Sequence, residues 1–278
     1  MPFYLTLLIL LAAFLHAAWN ALLRASEDRM WSITVMCLAV ALASATAALV
    51  LEPPASASWS YAALSAVLHV GYNVFLVQSY RVGDLGQSYP IARGSSPVLV
   101  TIGASLLVDE SLGAPAMLGI ALVSGGIISL AFGGRKLQVP TLPYTLGTGG
   151  FIAAYSIVDG IGARMSGAPL AYTAWMCMLW GVLMTAAYFG LRGWSEGKRL
   201  LIVRPGFATA FVGGLVSLLA YSIVIFAMAK APMGAVSALR ETSVLFAALI
   251  GYFFLGERLT ALRLVACAAI ATGTVLIR

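Results

Sequence analysis

Apolar runs of roughly 20 residues follow one another along the whole chain, separated by short polar breaks. A helix crossing the hydrocarbon core of a bilayer needs about 20 mostly apolar residues. Inside lipid only helices and closed barrels satisfy their backbone polar groups, and continuous rather than alternating apolarity excludes the barrel. The pattern predicts an all-α membrane protein with ten transmembrane helices, over residues 3–23, 31–51, 59–80, 86–107, 113–132, 143–163, 170–191, 207–229, 234–255 and 262–277.

The breaks carry helix-ending residues: Pro53-Pro54, Gly83-Asp84, Gly133-Gly134 with Pro140 and Pro143, Gly167 and Pro169, Pro205-Gly206, and Pro232. The longest, 192–206, holds Arg192, Lys198, Arg199 and Arg204 and leaves no room for a soluble domain. Residues 3–23 lack a basic leader and exceed the usual apolar length of a cleaved signal, so they read as a retained helix.

Composition supports lipid as the solvent: 61% of the residues are hydrophobic and 9% charged, against roughly 45–50% and 25% in soluble domains. The net charge of +6 does not imply nucleic acid, because Lys and Arg occur singly or in small groups between apolar runs. Their placement reads as topological. The breaks after helices 1, 3, 5, 7 and 9 hold Arg24, Arg29, Arg81, Arg135, Lys136, Arg192, Lys198, Arg199, Arg204, Arg258 and Arg263, against Arg164, Lys230 and Arg278 on the other side. Positive charge marks the cytoplasmic side, which places both termini outside the cytoplasm, in a bacterial inner membrane.

Cys37, Cys177 and Cys267 lie too far apart for a disulfide framework or a zinc spacing, and two isolated histidines offer no metal site. A phosphate-cradling Gly-x-x-x-x-Gly-Lys run is missing, so ATP is not expected as an energy source, nor is any cofactor. An intramembrane enzyme is the remote alternative, since neither a Gly-x-Ser-Gly run nor paired Asp-rich clusters occur.

The chain also repeats itself. Residues 86–112 and 234–260 align, with one residue of slippage near the start, so that Arg93 matches Arg240, Ser96 matches Ser243 and Glu110 matches Glu257, and beyond them Gly126 matches Gly273. The expectation is one compact transmembrane domain of two five-helix repeats, 1–135 and 140–278. Five is odd, so the second enters the membrane inverted, an arrangement that suits alternating access around a midplane site.

Gly256-Glu257-Arg258-Leu259-Thr260 before the last helix, its weaker copy Val108-Asp109-Glu110-Ser111-Leu112, the five-plus-five count and Pro97 within helix 4 resemble the drug/metabolite transporter superfamily, EamA type. Helix 9 has Val244 where the first half has Pro97. The resemblance covers the whole chain. It implies a secondary transporter that exports small metabolites, amino acids and in particular aromatic amino acids, with one chain sufficient for transport and an oligomer left open. It also implies cytoplasmic termini, against which the charges of this chain argue. A facilitative uniporter or channel for small polar solutes is the alternative.

Ionisable groups inside spanning segments are expensive and mark candidate sites. Here they are Arg93, Asp159, Arg240 and Glu241, with His16 and His69. Residues four apart share a helix face, and the polar stripes are His16 and Asn20; His69, Asn73 and Tyr80; Tyr89, Arg93 and Ser96; Tyr155 and Asp159; Ser217 and Tyr221; and Ser237 with Arg240 or Glu241. Tyr72 flanks the second stripe. Together they predict a central substrate cavity, in which the arginines recognise a carboxylate through their planar donor forks. The bland alternatives are pairing with Asp159, Glu241 or backbone carbonyls, or snorkelling to a helix end. Asp159 and Glu241 are proton carriers or buried partners of arginine, and the histidines shuttle protons, hydrogen-bond substrate or bond inside the bundle. Tyr80, Tyr89, Tyr155 and Tyr221 form an amphipathic wall, whereas Tyr4, Tyr61 and Tyr144 belong to an interfacial belt. Pro90 and Pro97 hinge a gate or shape the bundle. Gly119, Ser124, Gly125 and Gly126 in helix 5 and Ala266, Ala269 and Gly273 in helix 10 permit close contact, within one chain or between two. Asp109-Glu110 and Gly256-Glu257 sit where an acidic group complements the dipole of the next helix.

Overall fold

The computed structural model describes the backbone of residues 1–24, 28–82, 85–133, 139–197, 205–255 and 260–277, and the side chains of 1–20, 28–79, 87–133, 139–195, 205–253 and 260–277. The side chain of Tyr80 and the Gly256-Glu257-Arg258-Leu259 segment lie outside those residues. No strand occurs among the described residues. The α-helices are α1 (Phe3–Arg24), α2 (Arg29–Val50), α3 (Trp59–Val82), α4 (Leu85–Val108), α5 (Ala114–Ser129), α6 (Leu142–Met165), α7 (Pro169–Gly197), α8 (Phe207–Met228), α9 (Met233–Arg240), α10 (Ser243–Leu255) and α11 (Ala261–Ile277).

Eight segments are long and apolar enough to cross a membrane, the stretch Met233–Phe253 among them although it contains the junction of α9 and α10. Two of the expected spans fall outside that set for different reasons. α11 has only 17 residues. α6 has 24 but carries Thr145, Thr148, Tyr155, Ser156 and Asp159, and it packs against α3 and α4. All five of those side chains are buried, so its polar groups face protein rather than lipid.

The ninth predicted span requires correction. In place of one helix over 234–255, α9 ends at Arg240 and α10 begins at Ser243. The Glu241 and Thr242 amides donate to the carbonyls of Ala238 and Leu239 three residues back, both at 3.1 Å, and Val244 and Leu245 repeat the pattern onto Glu241 and Thr242. The Thr242 hydroxyl also donates to the Leu239 carbonyl, at 2.7 Å. A side-chain donor on a helical carbonyl competes with the backbone ladder and favours such a joint.

Outward faces are apolar and the centre holds the polar groups, the reverse of a soluble bundle. Leu7, Leu11 and Phe14 of α1 are exposed while Leu5, Ile9 and Ala12 on its other face are buried. Ile102 and Leu106 of α4 and Phe253 of α10 are likewise exposed. His69, Arg93, Asp159, Arg240 and Glu241 are all buried.

The principal neighbours are α1 with α8, α2 with α7 and α8, α3 with α6 and α7, α4 with α5, α6 and α9, and α5 with α11. Tight seams depend on missing side chains. A Cβ on Gly119 would stand 2.6 Å from the Gly273 carbonyl oxygen, and one on Gly273 2.6 Å from that of Gly119. Further along, a Cβ on Gly126 would lie 3.1 Å from the Ala266 carbonyl. The small-residue faces of the fifth and last helices therefore meet within one chain at Gly119, Gly126 and Gly273.

Replacing Gly273 by leucine should destabilise the protein by about 1–3 kcal/mol, because the added side chain has no room to move into. Gly125→Leu on the same helix as Gly119 should leave stability nearly unchanged, since nothing stands within 4 Å of its Cβ position. Thermal unfolding of the detergent-purified variants checks both.

Candidate functional site

The site centres on α4, α6 and the joint between α9 and α10. Arg93 lies between the two prolines of α4, and the helix runs on through both. Pro97 has no N–H for the Arg93 carbonyl, and the Ser96 hydroxyl supplies a donor to it instead, at 3.1 Å. Arg240 closes the last turn of α9, where a cation complements the negative end of the helix dipole. Glu241 follows at the joint.

These three side chains converge. Arg93 Nε is 2.7 Å from Glu241 Oε2, and Arg240 Nε is 3.5 Å from Glu241 Oε1. The arginines are each 3% exposed and the glutamate 0%, so the snorkelling alternative is overturned: both guanidinium groups turn inward. The contacts are close but their N–H bonds are not aimed along them. Nε and Nη2 of both arginines and both oxygens of Glu241 are buried without a hydrogen-bond partner among the described residues. Two cations are thus held on one anion by charge alone, with donor capacity to spare.

Beside this trio stands an aromatic wall. His69 of α3 stacks on Tyr155 of α6 with ring centroids 4.0 Å apart and meets Trp180 of α7 at 5.0 Å and Tyr221 of α8 edge-on at 5.3 Å. Tyr72 meets Tyr155 edge-on at 5.7 Å, and the Arg93 guanidinium lies 5.9 Å from the Tyr89 ring centroid. The charges of the arginine pair act on His16, Tyr72, Tyr89 and Tyr155, and that of Arg240 on His69 and Asp159. All these groups lie within electrostatic reach of the arginine pair.

Asp159 pairs with tyrosine hydroxyls rather than with an arginine, the partner weighed as one alternative from the sequence. Its carboxylate accepts the Tyr172 hydroxyl at 2.9 Å and that of Tyr221 in a short contact, with Ser65 adjacent. His69 Nδ1 in turn faces the Ser65 carbonyl at 2.9 Å and its hydroxyl at 3.2 Å. Ser65, Tyr172 and Trp180 were not among the sequence candidates. Ser65 had a signal, one turn before His69 on the same stripe; Tyr172 and Trp180, in a largely apolar run, had none.

Other candidates sit apart from these contacts or at their margin. The Asn20 amide donates to the His16 carbonyl of its own helix at 2.8 Å, and the His16 ring meets Trp19 at 4.9 Å. Asn73 reaches Met184 Sδ at 3.7 Å. Ser217 is half-buried, and the Ser237 hydroxyl is buried without a hydrogen-bond partner among the described residues.

At one end of the bundle, Glu110 departs from its expected role on the next helix. It binds Arg164 at 2.5 Å and accepts the Met233 amide at 2.8 Å, capping α9 rather than α5. Arg164 also donates to the carbonyls of Met228 and Ala231, at 3.0 and 2.9 Å. One carboxylate so ties the end of α4 to α6 and to the start of α9.

Residues 141–278 match the model of the EamA-like transporter family. With the apolar helices, that match indicates an integral membrane protein and supports the drug/metabolite transporter superfamily, whose members carry small solutes. No curated protein matches the chain. A solved structure described only as the crystal structure of a protein is similar with a TM-score of 0.73, over 98% of this chain and 94% of that one, at 16% identity. Such a likeness concerns the fold alone.

The Tyr172 hydroxyl and the Asp159 carboxylate should prove coupled. Tyr172→Phe leaves a buried acceptor short of a donor and should cost about 1–3 kcal/mol. Combined with Asp159→Asn, the second change should cost clearly less than it does alone, a non-additivity measured by a double-mutant cycle of thermal unfolding.

Proposed function

We propose that the chain is a secondary carrier that exports small carboxylate-bearing metabolites, amino acids with aromatic side chains among them, by alternating access around the Arg93–Arg240 centre. The observation that carries this reading is the pair of buried guanidinium groups sharing one carboxylate, with unused donors beside a wall of aromatic rings. A planar fork with free N–H groups fits a carboxylate, and aromatic faces suit a flat apolar side chain. His69, Tyr72, Tyr155 and Tyr221 form the wall in this reading, Tyr89 orients Arg93, and His16, Asn20, Ser96, Ser217 and Ser237 line the approach. Pro90 and Pro97 let α4 bend as the site changes sides.

The reading includes two inverted repeats, 1–135 and 140–278. In support, exchanging each span for the one five places on turns an observed packing pair into another: α1 with α8 becomes α6 with α3, and α2 with α8 becomes α7 with α3. The Gly119–Gly273 contact likewise becomes Ala266–Gly126, which also exists. Arg93 and Arg240, matched in the repeat, then stand on either side of the pseudo-two-fold axis. The charge distribution favours an inner-membrane orientation with both termini outside the cytoplasm.

Counterflow decides the matter. Proteoliposomes loaded with unlabelled phenylalanine should transiently accumulate the labelled amino acid against its gradient, which a channel cannot do. Arg93→Ala should lower that accumulation by about tenfold or more, the loss of a charge-assisted hydrogen bond, while Arg93→Lys should restore it only in part because the fork is gone. Undiminished counterflow in Arg93→Ala would reassign this arginine to packing.

A further inference from the structure

Given the carrier reading above, on which this step rests, we infer that Glu241 is a resident stand-in for the substrate carboxylate: it offsets one of the two positive charges of the arginine pair in the empty protein and so permits the empty carrier to reorient. Three observations lead there. The Glu241 carboxylate already occupies the position between Arg93 and Arg240 that an anionic solute would take, at 2.7 and 3.5 Å from their Nε atoms. It occupies it imperfectly, because neither contact has hydrogen-bond geometry and both Nη2 atoms stay unused. A solute carboxylate meeting a guanidinium squarely makes two parallel hydrogen bonds and therefore displaces it.

The third observation is position. Glu241 lies at the joint between α9 and α10, where the backbone bonds run three residues back, so a modest change of backbone angles swings its side chain without unwinding either helix. A displaced carboxylate also has somewhere to go. Ser237, one turn earlier on α9, has a buried hydroxyl without a hydrogen-bond partner among the described residues.

Alternating access passes through a state in which the site is shut off from both aqueous sides. A guanidinium without an anion is prohibitively costly in such surroundings. With solute bound, its carboxylate serves; without solute, Glu241 serves. Wild-type protein can therefore return empty and sustain net flux, whereas a protein lacking this carboxylate closes only when loaded.

The test compares two fluxes of labelled phenylalanine from proteoliposomes: net efflux into solute-free buffer, and exchange against unlabelled phenylalanine outside. Wild type should show both. Glu241→Gln should lower net efflux by at least about tenfold relative to exchange, while the half-saturation for exchange falls several-fold because the internal competitor is gone. Glu241→Asp, which keeps a carboxylate one methylene shorter, should recover part of the net efflux. Should Glu241→Gln fail to give a monodisperse protein, Glu241→Asp carries the test, and it must slow net efflux more than exchange. Equal loss of the two fluxes, or net efflux that keeps pace with exchange, overturns the role of Glu241. Absence of exchange in the wild type would instead sink the carboxylate-carrier reading itself.

Discussion

Low-dielectric surroundings allow no charge to stand alone, and the centre of this protein is organised around that constraint. Arg93, Arg240 and Glu241 are almost wholly buried, on a chain whose outward faces are apolar. The desolvation of each is offset chiefly by the others. That requirement fixes several features at once. α4 must approach α9 closely, and a Cβ on Gly234 in the first turn of α9 would collide with Thr101 of α4. The ninth span must be jointed at Glu241 so that its carboxylate and the Arg240 side chain, adjacent in sequence, reach the same point. The proline after the Arg93 turn is tolerated because Ser96 covers the carbonyl it orphans.

Eight of the ten expected spans were legible in the sequence as long apolar segments because lipid imposes run length so strictly. The joint at 241–242 was not, since both flanks are apolar and helix-compatible: Ser243–Leu255 reads Ser-Val-Leu-Phe-Ala-Ala-Leu-Ile-Gly-Tyr-Phe-Phe-Leu, and Thr242 alone hints at competition for a carbonyl. The polar stripes were legible through their four-residue spacing, which found His69, Arg93, Tyr155, Asp159, Tyr221 and Arg240. What spacing within a helix cannot give is the partner on another helix. An arginine was one of the two alternatives open for Asp159, yet it is held by tyrosine hydroxyls from α7 and α8. Glu110 was assigned to the helix that follows it and instead caps one more than a hundred residues away.

The two kinds of contact in the bundle differ in what motion would cost. Along α5 and α11, backbone meets backbone at glycines, and a slide of one helix past the other would bring side chains into the seam. Such close-packed interfaces shift as units or not at all. Around His69, by contrast, α3, α6, α7 and α8 meet through aromatic rings at centroid distances of 4.0 to 6.1 Å, and rings can slide or tilt over one another while keeping most of their contact.

Placing the charged trio between a rigid seam and an adaptable wall has a consequence for how binding energy can be used. Seam contacts hold α5 against α11 whatever occupies the centre, so they have no differential affinity for occupied and empty states and cannot report on occupancy. The joint at Glu241 and the rings around His69 do have alternatives, because their contacts are charge without aimed hydrogen bonds in one case and offset ring faces in the other. In the carrier reading proposed above, binding energy released at the arginines would be available to α9, α10 and the aromatic helices and isolated from the α5–α11 seam. A bundle built uniformly of glycine seams would lock its charges in place; one built only of ring contacts would lack a fixed element for the moving helices to work against.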